Sequence, residues 1–230
     1  MSEGNSRERA QMMTALGAKV VLVPQSRTSQ PGHITGEDLA LVEARAQQLT
    51  HQLKAFRVDQ FVREHNRLAH ERHTGAELWR QADGQIDAFC DFIGTGGTFA
   101  GVTTAFKKRK PAVRCYIVEP KGAAVLAREP LTNANHRIQG GGYGMSDLDQ
   151  LAGIPVDGYL QVEDDEAIVV ARGLARHEGI LAGFSSGAVV AAALQLLRTM
   201  HSGQTVAVIL ADSGLKYLST DLWPDFENPG

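Results

Sequence analysis

The sequence has few cysteines, no long apolar run and no excess of charge of one sign. Two cysteines in 230 residues cannot form a disulfide framework, and we expect buried thiols in a reducing compartment. No apolar segment approaches the roughly 20 residues of a membrane-spanning helix, and the polar N-terminus lacks a signal-peptide core. With 23 basic and 26 acidic residues, general affinity for nucleic acid is not expected. These absences predict a cytoplasmic protein with neither nucleic acid nor a membrane as partner.

No spacing typical of a metal site is present. His65, His70 and His73 lie close together, but they form no H-E-x-x-H pattern, and the cysteines are not closely paired. We expect the three histidines to lie on a solvent-exposed face. The sequence therefore predicts no metal.

Strand-like apolar runs alternate with helix-like segments, which is typical of an α/β fold. The predicted strands are residues 19–23, 58–62, 88–93, 114–119, 158–162 and 205–210. Most are continuously apolar rather than alternating, which indicates a mostly parallel sheet covered by helices on both faces. Two capping-box patterns, beginning at Thr35 and Thr74, predict helix starts.

The most specific local motif is a strand followed by a glycine-rich loop and a helix. The loop, called here the GTGGT loop, comprises Gly94, Thr95, Gly96, Gly97 and Thr98. Glycine lets the backbone approach an anion closely, and the N-terminus of the following helix adds positive potential. A tight turn that merely needs glycine is the simpler alternative, but it does not account for the threonines. We therefore predict a phosphate-binding loop.

The identity of the phosphate is only partly constrained by the loop. A nucleoside triphosphate is disfavoured, because Phe99 follows the loop and the lysine of a Walker motif is missing. The dinucleotide fingerprint also meets Phe99 where its third glycine belongs, although Glu119 ends the next strand, where an acid could bind a ribose. NAD therefore stays open as an alternative cofactor.

A second motif, G-x-S-x-G at residues 183–187, lies between an apolar run and a helix. It resembles the nucleophile elbow of serine hydrolases. In that fold an acid and then a histidine follow the serine, whereas here the only later histidine, His201, precedes Asp212. Ser185 is therefore predicted to bind a ligand or to cap the helix rather than to act as a nucleophile.

The order of these motifs resembles the cysteine synthase family, whose members are pyridoxal-phosphate (PLP) enzymes with the tryptophan synthase β-type fold. The resemblance covers nearly the whole chain. The matching segments are G-A-K-V-V-L at 17–22, T-G-A-E-L-W at 74–79, G-T-G-G-T at 94–98, H-R-I-Q-G at 136–140, S-S-G-A at 185–188 and Y-L-S-T at 217–220.

The resemblance implies a role for each motif. The GTGGT loop would hold the PLP phosphate and Ser185 would bond the pyridine nitrogen, while Gln60, Gln139 and Gly140 would border the substrate. The implied reaction is β-replacement, in which O-acetylserine or another activated serine loses its leaving group and sulfide adds to give cysteine. The substrate would be a small amino acid and the assembly a homodimer.

Three alternatives to this function stay open. A serine/threonine dehydratase and a cystathionine β-synthase-like lyase share the fold and the cofactor. The third alternative is a non-catalytic, degenerate domain that binds PLP or another anion.

One feature of the family has no counterpart in this sequence. Members bind PLP covalently through a lysine near the start of the chain, and none of the seven lysines here lies in a matching context. The chain therefore resembles the C-terminal two thirds of a family member. On this comparison residues 1–56 would be the remnant of a smaller domain and residues 57–230 the larger PLP-binding domain. We expect the chain alone to be incomplete and inactive.

Overall fold

Four parallel strands form one sheet in the order β3–β2–β1–β4. The computed structural model describes residues 1–200 and 202–224. The strands are β1 (Ala88–Phe92), β2 (Arg114–Pro120), β3 (Gly158–Val162) and β4 (Val206–Val208). β1 is central, because Phe89 pairs with Cys115 on one side and with Ala207 on the other. The mostly parallel α/β fold predicted from the sequence is confirmed.

Helices connect and cover these strands. They are α1 (Arg7–Ala15), α2 (Gly36–Leu53), α3 (Glu64–Ala69), α4 (Gly75–Gln81), α5 (Gly97–Arg109), α6 (Asp164–Gly173) and α7 (Phe184–Leu197). A π-helical turn at His70–Thr74 joins α3 to α4, and another at Leu174–Glu178 extends α6. The capping box at Thr35 is confirmed, because its hydroxyl accepts from the Asp38 N–H while the Asp38 carboxylate accepts from the Thr35 N–H.

Separate apolar cores cover the two faces of the sheet. On one face Phe92 of β1 packs with Phe184 and other side chains of α6 and α7. On the opposite face Phe89 packs with Phe99 of α5. All five positions of β1 are buried, and successive side chains point to opposite faces. This two-sided burial explains why the run is continuously apolar in the sequence. It also fixes the orientation of β1, and therefore the point at which the following loop begins.

Some predictions of secondary structure are wrong. Residues 19–23 and 58–62 are not strands; in the first run only Val23 forms a bridge, with Ser2. An apolar run becomes a strand only where another strand can pair with it, and neither run joins the sheet. Thr74 does not cap a helix, since it has helical backbone angles and no side-chain cap bond. The last strand is shorter than predicted and only half-buried.

Other sequence expectations concern compartment and domains. Cys90 and Cys115 are buried and unpaired, as expected. No helix in the described ranges has both the length and the apolar character needed to cross a bilayer. The division of the chain after residue 56 stays a prediction.

Candidate functional site

A cavity of about 290 Å³ opens at the carboxyl ends of β1 and β4, and we call it the central cavity. Ligands of parallel α/β proteins bind at this edge of the sheet, and the volume is near the lower end for small-molecule sites. All five residues of the GTGGT loop line it, together with Gln60, Asp91, Gly140 and Tyr143 among others. The structure thus places the predicted phosphate loop in a cavity of suitable size.

Glycine is required where the GTGGT loop meets its neighbours. A Cβ atom on Gly94 would lie 2.6 Å from the carbonyl oxygen of Gly140, and one on Gly97 would overlap the Asn66 side chain. Gly96 has a φ of +85°, in the left-handed region. The loop is therefore a closely fitted backbone turn at the N-terminus of α5, where N–H groups and the helix dipole favour an anion.

A side chain of α3 fixes the first threonine of the loop. Asn66 Nδ2 donates to Thr95 Oγ1 at 3.1 Å and to the Gln60 carbonyl at 2.8 Å. The N–H of Gly97 also donates to Thr95 Oγ1, at 3.2 Å. Asn66 thereby ties the loop to the chain segment that carries Gln60. No sequence motif singles out Asn66.

A histidine fixes the second threonine. His70 Nε2 lies 3.2 Å from Thr98 Oγ1, and burial lowers the pKa of His70, which favours the neutral imidazole. A solvent-exposed histidine face is confirmed for His65 and His73 but is wrong for His70, which is half-buried. The proximity of α3 and its π-helical turn to α5 turns this side chain inward.

Ser185 approaches the loop from the opposite face of the sheet, in the first turn of α7. It is 9% exposed, and its Oγ lies 3.6 Å from the position that a Cβ would take on Gly140. The carbonyl oxygen of Gly140 in turn lies 2.6 Å from the position that a Cβ would take on Gly94. Within residues 1–200 and 202–224 the Ser185 hydroxyl makes no hydrogen bond. The structure therefore places Ser185 next to Gly140, which lines the central cavity with the GTGGT loop, but Ser185 itself is not one of the residues that line this cavity.

The two predicted substrate-side glutamines are placed differently. Gln60 lines the central cavity. Gln139 lines a separate cavity of about 260 Å³ together with Arg137, and its amide donates to the Gly32 carbonyl at 3.1 Å. The structure thus brings Gln60, but not the Gln139 side chain, to the GTGGT loop.

A buried acid that belongs to no sequence motif also lines the central cavity. Asp91 is 7% exposed, and burial raises the pKa of its carboxyl to about 7, although the backbone N–H groups of Phe92 and Phe99 partly offset that rise. Among the described residues no Lys or Arg forms an ion pair with it. The only sequence signal is a single charge in the apolar run 88–93.

The lysines lie away from the central cavity. None of the described residues that line it is a lysine. Lys19 and Lys54 are exposed. The other five form ion pairs elsewhere: Lys107 with Asp157, Lys108 with Glu71, Lys110 with Asp87, Lys121 with Glu163 and Lys216 with Asp212. No group of three or more His, Cys, Asp or Glu side chains that could bind a metal occurs in the described part of the chain.

Comparison with known proteins identifies the family. Residues 1–212 match the family described as "Pyridoxal-phosphate dependent enzyme". The chain belongs to this family. This PLP-dependent family member is 38% identical over 234 residues to cysteine synthase A of Salmonella typhi, a match that covers 98% of the chain and 69% of that protein.

Solved structures of PLP enzymes share the fold. O-Acetyl serine sulfhydrylase isoform 3 from Entamoeba histolytica has a TM-score of 0.81 and 32% identity, covering 100% of this chain and 65% of that one. The O-acetylserine dependent cystathionine β-synthase from Helicobacter pylori has a TM-score of 0.81 and 30% identity, covering 95% and 67%. The resemblance to cysteine synthases, the tryptophan synthase β-type fold and the PLP cofactor of the family are confirmed. The chain spans about two thirds of the length of these relatives.

The two other interpretations of the motifs do not hold for this PLP-dependent family member. Glu119, the candidate ribose ligand of an NAD enzyme, is 3% exposed and accepts hydrogen bonds from the N–H groups of Leu126 and Ala127, both at 3.0 Å. For a hydrolase triad, Asp212 accepts instead from the Tyr217 hydroxyl at 2.7 Å, and His201 lies outside the described residues.

Proposed function

We propose that this chain is the cofactor-binding part of a cysteine synthase-like enzyme. The enzyme would replace the leaving group of an activated serine, such as O-acetylserine, with sulfide to form cysteine. The relatives support this choice, since one is a cysteine synthase and the other two are named for their use of O-acetylserine. These names favour β-replacement over a dehydratase. A cystathionine β-synthase-like enzyme differs from a cysteine synthase in the thiol that replaces the leaving group. Product analysis with sulfide and with homocysteine would distinguish the two.

The observation that carries the proposal is the position of Gly140, which lies close to the GTGGT loop on one side and to Ser185 on the other. PLP carries a phosphate on one side of a pyridine ring and a ring nitrogen on the other. A PLP site therefore needs an anion-binding loop and a polar group that are separated by about the width of a pyridine ring. The loop offers backbone N–H groups at the N-terminus of α5. The hydroxyl of Ser185, which has no hydrogen-bond partner in the described part of the chain, lies 3.6 Å from the position that a Cβ would take on Gly140. The residues present fit the cofactor.

Each of these groups would bind or orient the cofactor. The loop N–H groups would hold the phosphate, while Asn66 and His70 keep the two threonine hydroxyls in place. A neutral hydroxyl at Ser185 would leave the pyridine nitrogen unprotonated. When bound, PLP supplies a moderate electron sink for the substrate's α-carbon. Gln60, at the cavity wall, would face the substrate carboxylate.

Turnover requires a base that the described residues do not place in the central cavity. A lysine would serve both as covalent anchor and as α-proton base, and none of the described residues lining the cavity is a lysine. We therefore propose that the chain binds PLP non-covalently and is inactive alone. The same observation favours the second candidate, a degenerate domain that binds PLP or another anion without chemistry.

We also propose a domain division, an assembly and a compartment. Residues 1–56 would be the remnant of a smaller domain and residues 57–230 the larger one. The chain would act in the cytoplasm as a homodimer. The buried, unpaired thiols of Cys90 and Cys115 support a reducing compartment, and sedimentation analysis tests the assembly.

Titration of the purified chain with PLP, followed by absorbance and protein fluorescence, tests the cofactor part. We expect saturable binding that inorganic phosphate competes away and that is about tenfold or more weaker for pyridoxal, which lacks the charged phosphate contacts. Incubation of the chain with O-acetylserine and sulfide tests whether it is inactive alone, and we expect no cysteine to form. Absence of saturable PLP binding contradicts the proposal. Cysteine formation at enzymic rates by the chain alone contradicts the proposed inactivity.

A further inference from the structure

Asp91 and the GTGGT loop both lie next to the N-terminus of α5. Asp91 is the fourth residue of β1 and lines the same cavity as the loop. The N–H of Phe99, which belongs to the first turn of α5, lies close enough to favour the ionised form of the carboxyl. The carboxyl therefore lies beneath the turn whose N–H groups would receive a phosphate.

Within the described part of the chain, no charged group offsets a negative charge on Asp91. From Gly97 to Phe106 helix α5 carries no charged residue. The titratable groups on the elements around Asp91 include Cys90 on β1, Glu119 on β2, His70 on the π-helical turn, Tyr143 in the glycine-rich loop and Asp212 after β4. The cations on these elements lie elsewhere: Arg72, Lys108, Arg109 and Arg114 are exposed, and Lys107 pairs with Asp157. Burial raises the pKa of the Cys90 thiol, the Glu119 carboxyl and the Tyr143 hydroxyl and lowers that of His70. In each case burial favours the uncharged form.

An ionised Asp91 would oppose a phosphate in the loop, because two anions a short distance apart in a buried site repel strongly. A neutral carboxyl removes this repulsion and adds a hydrogen-bond donor. We propose that Asp91 is a proton-dependent gate on the phosphate cradle, so that a phosphate monoester binds while the carboxyl is protonated and is excluded while it is ionised. This rests on the proposed function, since it requires that the GTGGT loop binds the phosphate of PLP.

The gate would operate around neutral pH. With the pKa of Asp91 at about 7, most molecules carry the neutral carboxyl at pH 6 and few do at pH 8. Because apparent affinity scales with the competent fraction, the dissociation constant rises about tenfold over this range. At pH 8, binding takes up close to one proton from solvent for each ligand bound.

Calorimetric titration with PLP at pH 6, 7 and 8, in buffers of different ionisation enthalpy, measures both affinity and proton uptake. Asp91→Asn keeps the shape of the side chain but cannot ionise, so its affinity lacks the pH dependence of Asp91 and keeps that of PLP and of the other titratable groups. We expect the ratio of the wild-type to the Asp91→Asn dissociation constant to rise about tenfold from pH 6 to pH 8. Asp87→Asn, which removes a carboxyl before the amino end of the same strand, should behave like the wild type.

The outcomes separate this inference from the proposed function. A constant ratio at all three pH values overturns the gate and leaves the proposed function intact. Failure of both proteins to bind PLP at any pH overturns the proposed function and the gate with it. If Asp91→Asn does not fold, wild-type titration with sulfate, whose charge is constant in this range, decides. Proton uptake near one at pH 8 supports the gate, and none overturns it.

Discussion

The imidazole of His70 bridges two threonine hydroxyls, with Nε2 at 3.2 Å from Thr98 Oγ1 and Nδ1 at 3.0 Å from Thr74 Oγ1. A neutral imidazole offers one donor and one acceptor, so one ring can satisfy both contacts at once. His70 thereby connects the π-helical turn to the last residue of the GTGGT loop. The GTGGT loop is therefore held in place by the preceding helical segment as well as by its own glycines.

His70→Ala should weaken PLP binding without unfolding the chain. Losing the contact frees the Thr98 hydroxyl, and a hydrogen bond of this kind contributes about 0.5–1.5 kcal/mol, which corresponds to a roughly two- to tenfold higher dissociation constant. Fluorescence titration with PLP measures the change. His73→Ala, an exposed histidine of the same turn, is the control. Equal affinities for the two variants would show that the bridge does not support the cradle.

Gly97→Ala should damage the cradle more severely. The added Cβ would overlap the Asn66 side chain, which must then move away from Thr95. We expect PLP affinity to fall by about tenfold or more, since a charged phosphate contact is lost with the loop geometry. Gly173→Ala, in α6 with open space around its Cβ position, should be neutral or stabilising by up to about 1 kcal/mol. Unchanged PLP binding by Gly97→Ala would mean that the loop is not the phosphate site.

Ser185→Ala and Ser186→Ala make a matched pair in the first turn of α7. The Ser186 hydroxyl is fully buried and without a partner in the described part of the chain, so its removal should cost little or stabilise the fold. Removal of the Ser185 hydroxyl should shift the absorbance maximum of bound PLP and weaken its binding. Identical spectra for both variants would refute the contact between Ser185 and the ring.

Asp91→Asn should stabilise the chain without ligand at high pH. The pKa of Asp91 is about 7 in the folded chain, against 3.8 for an unperturbed carboxyl. The folded state therefore holds its proton where the unfolded state has lost it. Wild-type stability falls as pH rises from about 4 to 7 and then levels off. Urea unfolding at pH 5 and pH 8 should show an advantage for Asp91→Asn that grows by roughly 2–3 kcal/mol. If the difference in unfolding free energy between the two proteins is the same at both pH values, the pKa of Asp91 in the folded chain does not lie near 7.

Features encoded in consecutive residues could be predicted from the sequence. The apolar run of β1 and the glycines that follow it specify a buried strand, a tight turn and the start of α5. The Thr35 capping box specifies the start of α2 in the same way. The order of the motifs along the chain is enough to indicate the family. Each of these features depends on local backbone preference, on a pattern of burial or on motif order.

Features that depend on contacts between distant segments could not be predicted. Asn66 and His70 reach Thr95 and Thr98 only because α3 and its π-helical turn lie against α5, and each pair is 28 or 29 residues apart in sequence. Asp91 is visible in the sequence only as one charge among apolar residues, and its role depends on which groups surround it. The runs at 19–23 and 58–62 have strand-like composition but no strand to pair with.

A crystal structure of the chain with PLP is the most direct test of the central claim. We expect the cofactor phosphate on the backbone N–H groups of residues 94–98 and the pyridine nitrogen within hydrogen-bond distance of Ser185 Oγ. A phosphate bound at any other part of the molecule, or a ring that does not reach Ser185, would contradict the claim.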